Sequence, residues 1–425
     1  MIATLKARMS VIIQQSCYFF SLNLHTMTHM TTAYYIFACA LAWTFHACSA
    51  APLTQIGPAL AVDARAFAYD GGDVAYVLGA NTLSAITLRG TPSVTPLDDL
   101  SDIGPCDALS LYKANTTSVW SSATRLAIVC AGSNTFATYG VEPTRAKRLF
   151  TLANEKRIAG AHSVVVVDRS LAFVAAEVHS RVVAVSLDVH EKRAPEARGN
   201  YQLSSVREVT KGVVDRQTIR VTSGTSRRVT TLKYSEAGTL QLVGSVKDSR
   251  LDGAVGSCVG VDDGKSRTYT YVVSSQMKGG TLSILDSSEF GAPQFIVGMH
   301  AGGDREDWLD WSPHAHEDLR GASDVSVFGD DAYIAASDAG AIVVVDVRNV
   351  ERPVVKDKLA SDALSGVNRV EASPDGKFIL AIVPRGANAD PVNADSGVDT
   401  VIVASTDDDV IAAAPSGRRR SLFSM

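Results

Sequence analysis

From Pro52 onward, apolar residues occur in short alternating or continuous runs of strand length. Gly, Asp, Asn and Ser interrupt these runs about every ten residues, a spacing that is typical of short strands and turns. Few stretches keep apolar residues at the helical spacing of about 3.6 residues. The sequence therefore predicts an all-β fold, in which many short antiparallel strands are joined by tight turns.

Residues 329–355 divide into strand-sized pieces. The run AYIAAS (332–337) leads through a DAG turn to AIVVVDV (341–347), and a polar link then leads to VVKDKL (354–359). With DVSVF (324–328) in front, the unit holds four short strands in about 40 residues, which is the size of a β-propeller blade. A lone sheet would leave both faces wet, whereas a ring of such sheets buries each face against a neighbour.

Similar units recur along the chain, and the centres of their second strands lie about 46 to 62 residues apart. These centres are Tyr76, Ala127, Phe173, Ile219, Tyr271, Tyr333 and Leu380. The repeat predicts a single seven-bladed β-propeller of four-stranded antiparallel blades over residues 51–411. It would follow an N-terminal extension with a signal peptide (1–50) and precede a flexible basic tail (412–425).

The stretch GDDAYIAASDAGAIVVVDVRNVERPVV (329–355) resembles an LVIVD repeat, with its Tyr-containing strand, Gly turn, Val-Val-Asp strand and downstream Pro. The stretch SPDGKFILAIV (373–383) is similar to the Ser-Pro-Asp-Gly-Lys turn of YVTN and lactonase-like propellers. These resemblances imply a propeller fold. LVIVD proteins are mostly surface or secreted propellers without an assigned reaction, whereas the lactonase-like group includes enzymes.

The segment AYYIFACALAWTF (33–45) is apolar and, at roughly 13 residues, is too short for a bilayer span but right for the core of a signal peptide. Small residues follow it, and cleavage after Ala50 fits the small-residue rule. Starts at Met1, Met27 or Met30 are all compatible with export, and an uncleaved anchor is the alternative. We therefore expect a secreted protein without a transmembrane segment after signal cleavage.

The net charge of −5 and the pI of about 6.0 give no clustered basic surface of the kind that nucleic acids require. Three cysteines follow the predicted cleavage site, so at least one lacks an intramolecular partner. Cys106 and Cys130 fall in one repeat and could pair, or both could be small buried thiols, and Cys258 is left over. Asn115 begins an NTT glycosylation pattern, which matters only for a secreted chain.

Polar residues occupy the predicted entry of the innermost strand in every blade. In a closed ring these positions surround one mouth of the central channel, where converging oxygens could hold Ca²⁺ or bind a cationic ligand. The alternative is that they hydrogen-bond the backbone of neighbouring turns. The positions are Asp63, Asp107, His162, Glu208, Ser257, Asp324 and Asn368.

An insertion at residues 299–321 accounts for the longest spacing between blades. His314 and His316 lie near Asp310 and could bind zinc or copper, although their spacing matches no known site. Trp308 and Trp311 stand beside carboxylates and could frame a sugar or a cationic ligand. The alternative is a solvated acidic loop that its tryptophans pin to the ring.

No catalytic motif of the serine-hydrolase, zinc-protease or P-loop kind occurs in the chain. The sequence therefore favours a secreted, monomeric, non-enzymatic propeller without a cofactor, which binds a protein or small ligand at the loop-bearing mouth. The alternative is an enzyme of the lactonase or quinoprotein-like type, assisted by a divalent cation held at the channel-entry ring.

Overall fold

The computed structural model describes residues 52–114, 123–187, 193–211, 217–262, 267–275, 279–288, 291–301, 317–384 and 399–405. Within these ranges, no helix is both long enough and apolar enough to cross a membrane. The helical elements in the same ranges are short 3₁₀ turns at Lys156–Ile158, Ser249–Leu251, Glu317–Leu319 and Asp362–Leu364.

The described chain begins with two short strands, β1 (Thr54–Gln55) and β2 (Leu60–Ala61), and continues with consecutive four-stranded antiparallel sheets. Blade 1 contains β3 (Ala66–Tyr69), β4 (Val74–Leu78), β5 (Thr82–Thr87) and β6 (Ser93–Asp99). Blade 2 contains β7 (Ala108–Lys113), β8 (Thr124–Cys130), β9 (Thr135–Glu142) and β10 (Arg145–Leu152). Blade 3 contains β11 (Ala161–Asp168), β12 (Leu171–Ala176), β13 (Arg181–Ser186) and β14 (Glu196–Gln202).

The same order repeats in the second half of the chain. Blade 4 contains β15 (Glu208–Lys211), β16 (Thr218–Ser223), β17 (Arg228–Tyr234) and β18 (Leu240–Lys247). Blade 5 contains β19 (Ala254–Asp262), β20 (Arg267–Ser274), β21 (Thr281–Asp286) and β22 (Gln294–His300). Blade 6 contains β23 (Ala322–Phe328), β24 (Asp331–Ala336), β25 (Ala341–Asp346) and β26 (Val354–Ala360).

Blade 7 closes the ring with strands from both ends of the described chain. It contains β27 (Arg369–Ala372), β28 (Ile379–Val383) and β29 (Thr400–Ser405), and β1 is its outer strand. Thr54 pairs with Ser405 and Gln55 with Ala404, while β2 also pairs with β29. The predicted seven-bladed, all-β architecture is confirmed, and each predicted second-strand centre lies in a second strand. The sequence pattern did not reveal that the N-terminal strand completes blade 7.

The core lies between the blades. The described residues form seven apolar clusters, one for each pair of neighbouring sheets. Middle strands such as β24 and β25 are almost wholly buried, because a sheet covers each of their faces. The outer strand β26 alternates between exposed and half-buried residues, as expected for a sheet edge facing solvent. The Val- and Ile-rich repeats are therefore scaffold.

Side-chain hydrogen bonds fasten the inner strands of neighbouring blades to one another. Ser110 Oγ in β7 accepts from Val166 N in β11 at 3.0 Å, and Ser326 Oγ in β23 accepts from Ala372 N in β27 at 3.0 Å. Ser163 Oγ donates to Val209 O at 3.2 Å in the same way. These bonds satisfy backbone groups that the ring would otherwise leave without partners beside the channel.

Candidate functional site

A cavity of about 350 Å³ lies on the axis of the ring and is lined by residues of all seven inner strands. Its volume is in the range of pockets that hold small ligands. Blades 4, 6 and 7 supply three carboxyl groups to the lining, and blade 7 also supplies a guanidinium. These residues are Glu208, Asp324, Glu371 and Arg369.

Glu208 is the first residue of β15 and is held by a chain of hydroxyl groups from blades 4 and 5. Thr222 Oγ1 donates to Ser257 Oγ at 2.9 Å, and Ser257 Oγ donates to Glu208 Oε2 at 2.9 Å. Arg369 Nη1 lies 4.0 Å from Glu208 Oε1. Burial, followed by the negative charge of Asp324, raises the pKa of Glu208 to about 7, and Arg369 and Ser257 lower it only in part.

Asp324 is only 8% exposed and joins blade 6 to blade 7. Its Oδ1 accepts from its neighbour Val325 N at 3.0 Å, and its Oδ2 accepts from Val370 N in β27 at 3.0 Å. Burial raises the pKa of Asp324, while Arg369 and the two backbone N–H groups act in the opposite direction. The side chain therefore fastens two blades and also adds negative charge to the cavity.

Glu371 was not among the residues that the sequence singled out. It lies two residues after Arg369 in β27, and both residues line the cavity. Burial, followed by the charge of Asp324, raises the pKa of Glu371 to about 8, although Arg369 lowers it. The alternation of side chains along a strand is the signal that could have selected this pair, once the start of β27 was known.

His162 lies at the mouth of the cavity and contacts the turn between the second and third strands of its own blade. Its Nε2 is 2.6 Å from Glu177 Oε2, and Arg207 Nη1 of blade 4 is 3.8 Å from the same oxygen. His162, Glu208, Ser257 and Asp324 are thus the predicted entry residues that the structure brings to the cavity.

The other predicted entry residues do not line the cavity. Asp63 Oδ2 accepts from Ala80 N at 2.7 Å, and Asp107 Oδ2 accepts from Ala131 N at 2.9 Å. Both acceptors thus hold the turn between the second and third strands of their own blade. Asn368 is exposed. The predicted ring is therefore divided between turn supports and cavity residues, and the described residues contain no group of three His, Cys, Asp or Glu side chains arranged to hold a metal ion.

The predicted metal and aromatic residues of the insertion lie outside the described residues. They are Asp310, His314, His316, Trp308 and Trp311, and the glycosylation pattern at Asn115 lies outside as well.

The structure joins Cys106 and Cys130 by a disulfide, which is one of the two states that the sequence left open. Cys106 lies two residues before the start of β7 and Cys130 ends β8, so the bond links the entry of one strand of blade 2 to the end of its neighbour. Cys258 is a free thiol that lines the cavity, and burial raises its pKa to about 12. This thiol is therefore a poor nucleophile at neutral pH.

Gly256 allows β19 and β23 to approach each other beside Asp324. A Cβ atom at position 256 would lie 2.9 Å from both Cα and Oδ1 of Asp324. We expect Gly256→Ala to lower the free energy of unfolding by about 1–3 kcal/mol, the usual cost of overpacking. Urea denaturation measures this change. Gly291→Ala is the matched control, because an added Cβ there meets nothing within 4 Å. Equal stability of the two variants would contradict the proposed close approach.

No protein-family model matches the sequence, and no curated protein matches it. Solved structures with similar folds include the WD40 repeats of RRP9 (10% identity, 84% of this chain and 98% of that chain, TM-score 0.56). A hypothetical selenium-binding protein from Sulfolobus tokodaii is also similar (10% identity, 83% of this chain and 88% of that chain, TM-score 0.54). A provisionally assigned 6-phosphogluconolactonase from Bacteroides fragilis is similar as well (11% identity, 78% of this chain and 87% of that chain, TM-score 0.53).

Likeness at such low identity shows the fold alone. The chain is thus a seven-bladed β-propeller with WD40-like and lactonase-like neighbours. Because propellers host many unrelated functions, this fold leaves both enzymes and binding proteins open. The resemblance to LVIVD repeats stays a prediction.

Proposed function

We propose that the protein is a non-enzymatic binding propeller, which holds a small cationic ligand such as an organic amine in its central cavity. The observation that carries this proposal is the convergence of Glu208, Asp324 and Glu371 on one cavity. Within the part of the chain that the structure describes, one guanidinium, that of Arg369, lines the same cavity. When all three carboxyl groups are ionised, the guanidinium offsets only one of their charges.

The excess of carboxylates over guanidinium groups in the cavity affects the protonation of the carboxyl groups. A carboxylate that is taken from water without a full set of partners is costly, and it lowers that cost by keeping its proton. The raised pKa values of Glu208 and Glu371 are consistent with this behaviour. A bound ammonium group would supply the missing positive charge in a site where water screens it poorly. Ligand binding and proton release are therefore coupled in this proposal.

We also propose that the protein acts outside the cytosol. The apolar segment 33–45 supports this proposal, and the Cys106–Cys130 bond is independent support, because stable disulfides are typical of exported proteins.

Isothermal calorimetry at pH 8.5 with benzylamine, propylamine, ethanolamine and putrescine tests the binding proposal. Glu371→Gln should weaken binding about tenfold or more, because it removes a charge-assisted contact. Arg369→Gln should strengthen binding, since it removes the cation that competes for the same carboxylates. Glu351→Gln, at an exposed position outside the cavity, is the matched control and should leave affinity unchanged. If none of the four amines binds, or if Arg369→Gln weakens binding, the proposal is wrong.

A further inference from the structure

The wall of the cavity differs in chemistry from one side to the other. Blades 1 and 2 are neighbours in the ring, and their described residues contribute only apolar side chains to the lining, namely Ala66, Phe67, Ala108 and Leu109. The three carboxyl groups all come from blades 4, 6 and 7. The cavity therefore has an apolar side, defined here as those four residues, and an acidic side formed by the three carboxyls.

The acidic side also contains an uncharged polar group, the hydroxyl of Thr210. Thr210 lies two residues after Glu208 in β15 and lines the same cavity. Its Oγ1 is shielded from solvent and has no hydrogen-bond partner within the part of the chain that the structure describes. A shielded hydroxyl without a partner costs free energy, so the acidic side holds an unmet polar group in addition to its carboxyls.

We infer that the ligand is a compact monoamine with an apolar body, whose ammonium group faces the acidic side and whose body lies on the apolar side. The inference rests on the proposed function, because it assumes that the cavity holds a cation. An aliphatic or aromatic body gains free energy by leaving water for the apolar side. A hydroxyl or a second ammonium group placed there would lose its hydration without gaining a partner.

The two ends of the ligand would thus be recognised by different means. Ammonium N–H groups would donate to the carboxylates of the acidic side, while the apolar body would be selected by size and hydrophobicity. Amines whose bodies carry hydroxyl groups are the class that this arrangement disfavours, because those groups would have to face Ala66, Phe67, Ala108 and Leu109.

The amine series separates this inference from the proposed function. We expect benzylamine to bind at least about tenfold more tightly than ethanolamine, and propylamine to bind more tightly than ethanolamine as well. Ala66→Leu should fill part of the apolar side, so it should weaken benzylamine binding by a larger factor than ethanolamine binding. Ala66→Ser, which keeps nearly the original volume, should reduce the preference for benzylamine and retains a foldable variant if leucine is not tolerated.

Three outcomes are decisive. The expected order of affinities, together with the selective effect at position 66, supports an amphipathic monoamine. Binding of ethanolamine as tight as that of benzylamine overturns the inference and leaves the proposed cation site intact. Absence of binding by all four amines overturns both.

Discussion

Replacing Ile56 by Ala should lower the free energy of unfolding by about 2–5 kcal/mol, the usual cost of emptying a buried aliphatic position. Ile56 is 2% exposed, and its N–H donates to Val403 O at 2.7 Å. Its side chain belongs to the apolar cluster between blades 7 and 1. The substitution therefore loosens the joint at which the ring closes, and not merely a terminal segment.

The neighbouring contacts explain why the effect should be large. Leu53 is 4% exposed and packs with residues of blades 6 and 7, and its N–H donates to Asp357 Oδ2 in β26 at 2.6 Å. A four-residue segment thus touches three blades. Loss of its packing would expose the edge of β29, where unpaired backbone groups are costly.

Urea denaturation and hydrogen exchange measure the result. Amides of β29 should exchange faster in Ile56→Ala than in the parent protein, because their protection depends on closure of the ring. Ala59→Ser is the control, since position 59 is exposed in the same segment and its change should stay within about 0.5 kcal/mol. Unchanged stability and unchanged exchange in Ile56→Ala would show that the ring closes without this strand.

The second large effect is a loss of stability as the pH rises from about 5 to about 8. The folded protein raises the pKa of Glu208 to about 7 and that of Glu371 to about 8, above the ordinary value of 4.5. At a pH between the ordinary pKa and the raised pKa of these groups, the folded state binds more protons than the unfolded state does. The free energy of unfolding therefore falls as pH rises through this window, by at most about 1.4 kcal/mol per pH unit for each proton.

Glu371→Gln tests this origin. The amide stays neutral at every pH, so the variant should lose less stability than the parent between pH 5 and pH 8, and should be the more stable of the two at pH 8. Thermal or urea unfolding at intervals of half a pH unit provides the comparison. Glu351→Gln should retain the parental slope, because that residue is exposed. Parallel curves for Glu371→Gln and the parent would refute the assignment.

The architecture was predictable because it depends on local patterns that repeat. Strands with apolar residues on both faces recur with turn residues between them, and seven copies leave ring closure as the means of covering every face. The outer strand of blade 7 was missed for the opposite reason. β1 has only two residues, and its partner β29 lies at the other end of the described chain, so no local pattern joins them.

The site was predictable only in part, and the limit was the exact start of each inner strand. His162, Glu208, Ser257 and Asp324 lie inside strands, and all of them line the cavity. The three remaining positions, Asp63, Asp107 and Asn368, lie before their strands begin, and none lines it. Shifts of one to three residues decide this outcome, and strand ends are the part of a sequence-based assignment that is least certain.

Local irregularities add to that limit. β11, β19 and β23 each contain a bulge near their first residues, between Ala161 and Ser163, Ala254 and Gly256, and Ala322 and Asp324. A bulge inserts an extra residue and re-aims the side chains that follow it. The side of the strand on which each side chain lies therefore cannot be predicted for one blade from another unless the positions of the bulges are known. Glu371 was overlooked because the position selected for blade 7, Asn368, lies before β27 begins and is exposed.

The pairing of β1 with β29 also sets the order of events when the chain is made. Among the described strands, β1 leaves the ribosome first and β29 leaves it last, so the joint cannot form until synthesis has passed Ser405. Until then the blades form an open arc with an unpaired strand at its leading edge. The cavity acquires its complete wall only when β27 arrives, because Arg369 and Glu371 belong to that late strand. A ribosome-bound chain that lacks blade 7 thus has an incomplete cavity, without Arg369 and Glu371, whatever the state of its first six blades.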